Sequence, residues 1–161
     1  MVTLNRMVAG APRIQGASGK SGPAGPGSGD DLSMNVIDEV WKRACAHRGG
    51  GVGDRHLSAL LLVHGAMLNG GAATVAVGFD PEDLRAAVEA CEYFGLNGLA
   101  NLFREIPAAA DSEDDERRLD TLFRDMDPEG IMLPAAFEDR YHTTPEDFAP
   151  VAGPRGLFRT L

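Results

Sequence analysis

The sequence predicts an all-α protein, a compact bundle of about six short helices preceded by a disordered tail. Three observations carry that prediction. Apolar residues recur at helical spacing through most of residues 33 to 151, clear helix starts and stops separate the periodic stretches, and the one strand-like stretch has no second strand to pair with.

Ser33 is a good N-cap, and Val36, Ile37, Val40, Trp41, Ala44 and Cys45 then mark the apolar face of a first amphipathic helix. The glycines at 49, 50, 51 and 53 end it and read as a linker. Asp54 is the expected cap of a second helix, in which Leu57, Leu60, Leu61, His64 and Leu68 share a stripe. Leu62, Val63 and Met67 widen that stripe, so this helix is predicted to be central and the most buried.

Asn69, Gly70 and Gly71 are predicted to end it, with at least one residue at positive φ, because Asn and Gly tolerate the left-handed conformation. Residues 72 to 78 carry no charge and read as a buried loop. Asp80, Pro81, Glu82 and Asp83 form a strong third start, and Leu84, Ala87, Val88 and Cys91 face inward until Gly95. A fourth helix runs from Asn97 with Leu99, Leu102, Phe103 and Ile106 inward, and Pro107 stops it. The acidic run at Asp111, Glu113, Asp114, Asp115 and Glu116 opens a fifth, whose predicted inner stripe is Leu119, Leu122, Phe123 and Met126. A sixth is predicted from Pro134 to about His142, burying Phe137 and Tyr141.

The 161 residues, 43% hydrophobic and 24% charged, suit one packed domain, assigned to residues 33 to 151. Residues 10 to 29 hold seven Gly and three Pro with almost nothing large and apolar, which is too little surface to offset the entropy of ordering. Residues 1 to 32 are therefore predicted to be disordered, and residues 152 to 161 form a C-terminal tail. Met34 stands where helical periodicity begins, which leaves two readings of the upstream stretch, a working segment or an over-long start.

Charge narrows the function. Residues 30 to 150 hold 24 acids and ten bases, a net −14, while residues 1 to 29 hold three bases and no acid. Such a surface repels phosphate backbones and anionic lipid, which disfavours direct binding of nucleic acid or membrane. Residues 1 to 11 lack the apolar core of a signal peptide, and no segment is expected to approach ~20 apolar residues, so a cytoplasmic protein is predicted.

No motif spells out a reaction. Cys45 and Cys91 lie inside predicted helices without a CxxC spacing and read as reduced core thiols. The histidines 47, 56, 64 and 142 have no HExxH or finger spacing, so no metal and no cofactor is expected. His64, alone on an apolar stripe, reads as a hydrogen-bonded core histidine. The 49 to 53 glycines lack the Lys-Ser or Lys-Thr of a phosphate loop, and Ser58 has no GxSxG elbow. The carboxylates, none on an apolar stripe, read as solvated faces. No catalytic residue is assigned, and an enzyme is the least favoured class.

Residues 111 to 129 hold nine acids against three bases, part of them matched at i, i+4 spacing as Glu113 with Arg117, Asp114 with Arg118 and Asp120 with Arg124. The surplus would attract a basic partner. Tentative contact residues are Asp83, Glu89 and Glu92 on the third helix and Asp114, Asp115 and Asp120 on the fifth. Carboxylates one helical turn apart lie ~6 Å from each other, near the phosphate spacing along a DNA strand.

The stretch Val63-His64-Gly65-Ala66-Met67-Leu68-Asn69-Gly70-Gly71, followed by Tyr93-Phe94-Gly95-Leu96, resembles a small bacterial family named after a DNA-mimic protein. Thr144-Pro145-Glu146-Asp147-Phe148 resembles that family's closing segment, and the likeness covers about residues 57 to 151. The resemblance implies a compact helical fold, an acidic surface and, in the named member, occupation of a DNA-binding protein in place of DNA. Ala72, Ala73, Thr74 and Val75 depart from the aromatic residues and Gln often found there in the family. Two partner classes fit: a DNA-binding protein, or a nuclease toxin for which the chain would act as an immunity or antitoxin-like inhibitor. A homodimer is compatible with either.

Overall fold

The computed structural model describes residues 29 to 151, and side chains from Val36 onward. The predicted tails at 1 to 32 and 152 to 161 lie outside the described residues, apart from the first turn of α1. Six α-helices follow in order: α1 (Gly29–Cys45), α2 (Val52–Gly78), α3 (Pro81–Tyr93), α4 (Asn97–Glu105), α5 (Glu113–Met126) and α6 (Met132–Thr143). Short 3-10 segments at Ile106–Ala110 and Pro145–Asp147 complete the chain, and there is no strand among the described residues.

α2 is the centre, packed by α1, α3, α5 and the Ile106–Ala110 segment, while α4 lies between α3 and α5. Its buried face is Leu57, Leu60, Val63, Met67, Ala72 and Val75. This corrects the predicted stripe by one position: Leu68 is 68% exposed and Leu62 40%. A helix of 27 residues is also longer than the sequence suggested, long and apolar enough to cross a bilayer by length and composition. Here its inner face is taken by its neighbours.

The length arises because residues 72 to 78 are helical, not a loop. The helix breaks at Gly71 alone (φ 72°, ψ −177°), whereas Asn69 and Gly70 keep helical geometry. Asp120 of α5 accepts a hydrogen bond from the Ala72 N–H at 2.8 Å, and this cap lets a new helical run start at once. The Thr74 hydroxyl donates to the Gly70 carbonyl at 2.6 Å on the other side of the break. α2 is thus two helical runs joined by one bend.

The start of α2 also differs from the prediction. Gly51 is the N-cap, and Asp54, three residues in, accepts the Gly51 N–H at 3.1 Å. Asp54 is 1% exposed, so the expectation that every carboxylate is solvated fails here. It accepts from Arg43 Nη2 at 2.6 Å and Nε at 3.0 Å, and from the Ala149 N–H at 2.7 Å. The arginine makes the burial tolerable, and the three-way bond ties α1, α2 and the chain end together. The glycine stretch is accordingly no free linker: a Cβ on Gly53 would lie 2.5 Å from the Phe148 ring, which fills that space.

Two thiols were expected in the core, but only Cys91 is buried, and Cys45 is exposed. On α5 Leu119 is the one fully buried residue, and Leu122 is 44% exposed. α6 starts two residues before Pro134, because Asp127 accepts the N–H groups of Ile131 and Met132, both at 3.0 Å.

Candidate acidic protein-binding face

α5 forms for local reasons that also expose it. The Ser112 hydroxyl caps it by accepting the Asp115 N–H at 3.2 Å, and four acids in its first turn face the positive end of the helix dipole. With Leu119 alone fully buried, most of its surface is free to carry charge.

The acids of α3 and α5, distant in sequence, are joined through α4. Arg104 pairs with Glu92 of α3, and the next residue, Glu105, pairs with Arg118 of α5 at 2.8 Å. Arg118 continues to Asp115 at 3.1 Å. Arg117 holds Glu113 at 3.0 Å and Asp114 at 3.1 Å, and Arg85 lies 3.6 Å from Glu82 and 3.8 Å from Glu89. The result is one charged band across α3, α4 and α5 whose arginines are engaged inside the protein.

These partners leave an acid excess at the surface. Asp83, Asp111, Asp125 and Glu129 are exposed and hold no ion pair or side-chain hydrogen bond among the described residues. The pairs themselves are weak, ~0–1 kcal/mol when solvated, so an incoming cation can replace an internal arginine at little cost. Hydrogen bonds from Arg118, and then Ser112, hold the Asp115 carboxyl below its usual range. Glu105, and then Asp115, raise the Arg118 guanidinium. Both stay charged at any physiological pH.

Of the six tentative contact residues, Asp83 is exposed and unpaired, Glu89, Glu92, Asp114 and Asp115 sit in the band, and Asp120 does not. Asp120 is turned inward to cap Ala72 instead of pairing with Arg124, because the bend of α2 leaves an N–H that only α5 reaches. Arg104 and Glu105, which connect the two clusters, were missed. Their partners lie 12 or more residues away, beyond any helical spacing.

A second feature adjoins the band. A cleft of about 560 Å³ opens where α2 bends over α5, with His64, Met67, Leu68 and Phe123 among its lining. His64 is half-buried, its ring 5.2 Å from that of Phe123, and burial lowers its pKa despite Asp127 nearby. It makes no hydrogen bond among the described residues, unlike the satisfied core histidine expected.

Of the three segments that carried the resemblance, 63 to 71 lines this cleft, while 93 to 96 and 144 to 148 meet each other. The Tyr93 hydroxyl donates to Asp147 at 2.6 Å, the Arg140 guanidinium lies 4.0 Å from the Tyr93 ring centre, and His56 stacks on that ring at 4.5 Å. Burial first, and the bond to Asp147 next, raise the Tyr93 pKa, while burial lowers that of His56. A tyrosine kept protonated as a donor fastens the chain end to α3; it is not poised as a base. Among the described residues no group of three or more His, Cys, Asp and Glu side chains gathers as a metal site requires.

Comparison with known proteins places the chain in a family. No curated protein matches the chain, and no solved structure does. A family model described as DMP19-like protein matches residues 52 to 154, from the first turn of α2 past the closing 3-10 turn. The match spans the central helix, the charged band and the Tyr93–Asp147 fastening together, and the chain belongs to the DMP19-like protein family.

Proposed function

We propose that the protein is an acidic binding module that occupies the DNA-binding surface of a basic protein in place of DNA. The observation that carries this reading is the band over α3, α4 and α5, in which Arg85, Arg104, Arg117 and Arg118 are engaged with acids of the protein itself and Asp83, Asp111, Asp125 and Glu129 remain free. Membership of a family named for a DNA mimic supports it. Carboxylates spaced ~6 Å apart along α5 present an anion array of roughly phosphate pitch on a rigid rod. The work is association, so no cofactor and no catalytic step enters it. A DNA-binding partner works in the cytoplasm, and the protein is inferred to do so too.

The test is capture of partners on the immobilised protein at low and high salt, with and without duplex DNA. A basic DNA-binding protein that salt releases and DNA displaces is the expected result. Reversing Asp114 and Asp115 to Lys should weaken capture at least ten-fold while costing only ~1–2 kcal/mol of stability from the first turn of α5, so the variant remains folded in a thermal melt. A partner that neither salt nor DNA displaces would overturn the reading.

A further inference from the structure

The cleft under the bend of α2 is lined by apolar and acidic side chains together. Met67, Leu68 and Phe123 lie in it beside His64, and Asp127 and Glu129 line it as well. Of the apolar lining, Leu68 is 68% exposed. A concavity with apolar side chains in its lining is the usual shape of a contact surface. The lining holds three carboxylates, those of Asp120, Asp127 and Glu129, against the single guanidinium of Arg124. A lining that is apolar in part and otherwise net negative is complementary to an apolar side chain between positive ones.

We propose that this cleft seats an apolar side chain flanked by lysine or arginine on a loop of the basic partner. The proposal rests on the binding reading above and adds an anchor to it. A carboxylate array alone attracts any cationic surface and lets it go as salt rises, because its attraction is long-ranged and screened. A side chain held out of water in the cleft slows release and selects one basic protein among many. Leu68 and Phe123 supply the contact area, and the unpartnered His64 ring offers a hydrogen bond to the loop backbone.

Two fluorescent pentapeptides test this, each with two lysines and two arginines around a central residue, leucine in one and glycine in the other. Their affinities for the full-length protein are measured by anisotropy at low salt. The leucine peptide should bind about five-fold more tightly, the gain from burying part of one aliphatic side chain. Leu68→Ser, a change at a solvent-facing position, should remove that difference without lowering the melting temperature. Arg124→Ala should tighten both peptides, whereas an anion-binding cleft would predict no such gain.

Equal affinities for the two peptides, or a leucine preference that survives Leu68→Ser, would overturn the anchor. Salt-sensitive binding of both peptides that Asp114→Lys and Asp115→Lys weaken equally would, in that case, leave the binding reading intact. Failure of both peptides to bind better than an uncharged control would remove the anchor and the acidic-face reading together.

Discussion

Replacing Gly71 by Ala should cost about 2 to 4 kcal/mol of stability, and the structure divides that sum. At φ 72° and ψ −177° an L-residue is strained by ~1–3 kcal/mol, since this region belongs to glycine almost alone. A Cβ there would also lie 2.8 Å from the Asp120 carboxylate, displacing the cap on Ala72 and losing a hydrogen bond of ~1 kcal/mol. Gly65 is the control. It sits inside the same helix, and an added Cβ meets nothing within 4 Å, so Gly65→Ala should instead stabilise by ~0.5–1 kcal/mol. Urea titration followed by far-UV circular dichroism gives both values. Asp120→Ala should cost ~1 kcal/mol by itself, and combined with Gly71→Ala the total should fall short of the sum, because both remove one cap. Gly71→Ala as stable as the parent with an unchanged urea dependence, or losses of equal size at Gly65 and Gly71, would refute the account of the bend.

Other consequences are as direct. Asp54→Asn should lower stability by ~3–5 kcal/mol in the same titration, since it breaks a buried pair with Arg43, and Arg43→Lys should fall between, lacking the fork that reaches Asp54 and Ala149 together; an Asn variant within ~1 kcal/mol of the parent would show that the tie contributes little. Burial pushes the Cys91 thiol up to about 12, so an alkylating reagent should modify exposed Cys45 in the native protein and Cys91 only in denaturant, as mass spectrometry of peptides would show. Burial lowers the pKa of both His56 and His64 from the ordinary 6.5, so the unfolded chain takes up protons first as pH falls. Their contribution is fully present above pH ~6.5 and is lost as pH falls through the lower folded values, and replacing both with Gln should flatten the decline of melting temperature between pH ~7 and ~5.5.

Helix order was legible because the determinants are local. Asp80 before Pro81, the acidic run at 111 to 116 and the Gly95 stop act within one or two turns, and each helix starts or ends there. The acid surplus on α5 was equally readable, since a helix with one buried leucine must turn the rest outward. Periodicity was less reliable at Leu68 and Leu122, where the apolar count exceeded what the neighbouring helices could cover. A sequence records how much apolar surface exists but not how much of it finds a partner.

The sequence by itself therefore determined six helices, the starts of α3 and α4 and a net negative domain, because capping, side-chain spacing and charge are properties of neighbouring residues. Tertiary structure decided the rest through pairs far apart in the chain. Asp120 reaches Ala72, 48 residues away, and turns a predicted loop into helix. Ala149 reaches Asp54 across 95 residues and makes a carboxylate buried. Arg104 and Glu105 join two acidic clusters into one band. Each of these polar groups has several acceptable partners in an unfolded chain, and only the packing of α2 against its neighbours selects one.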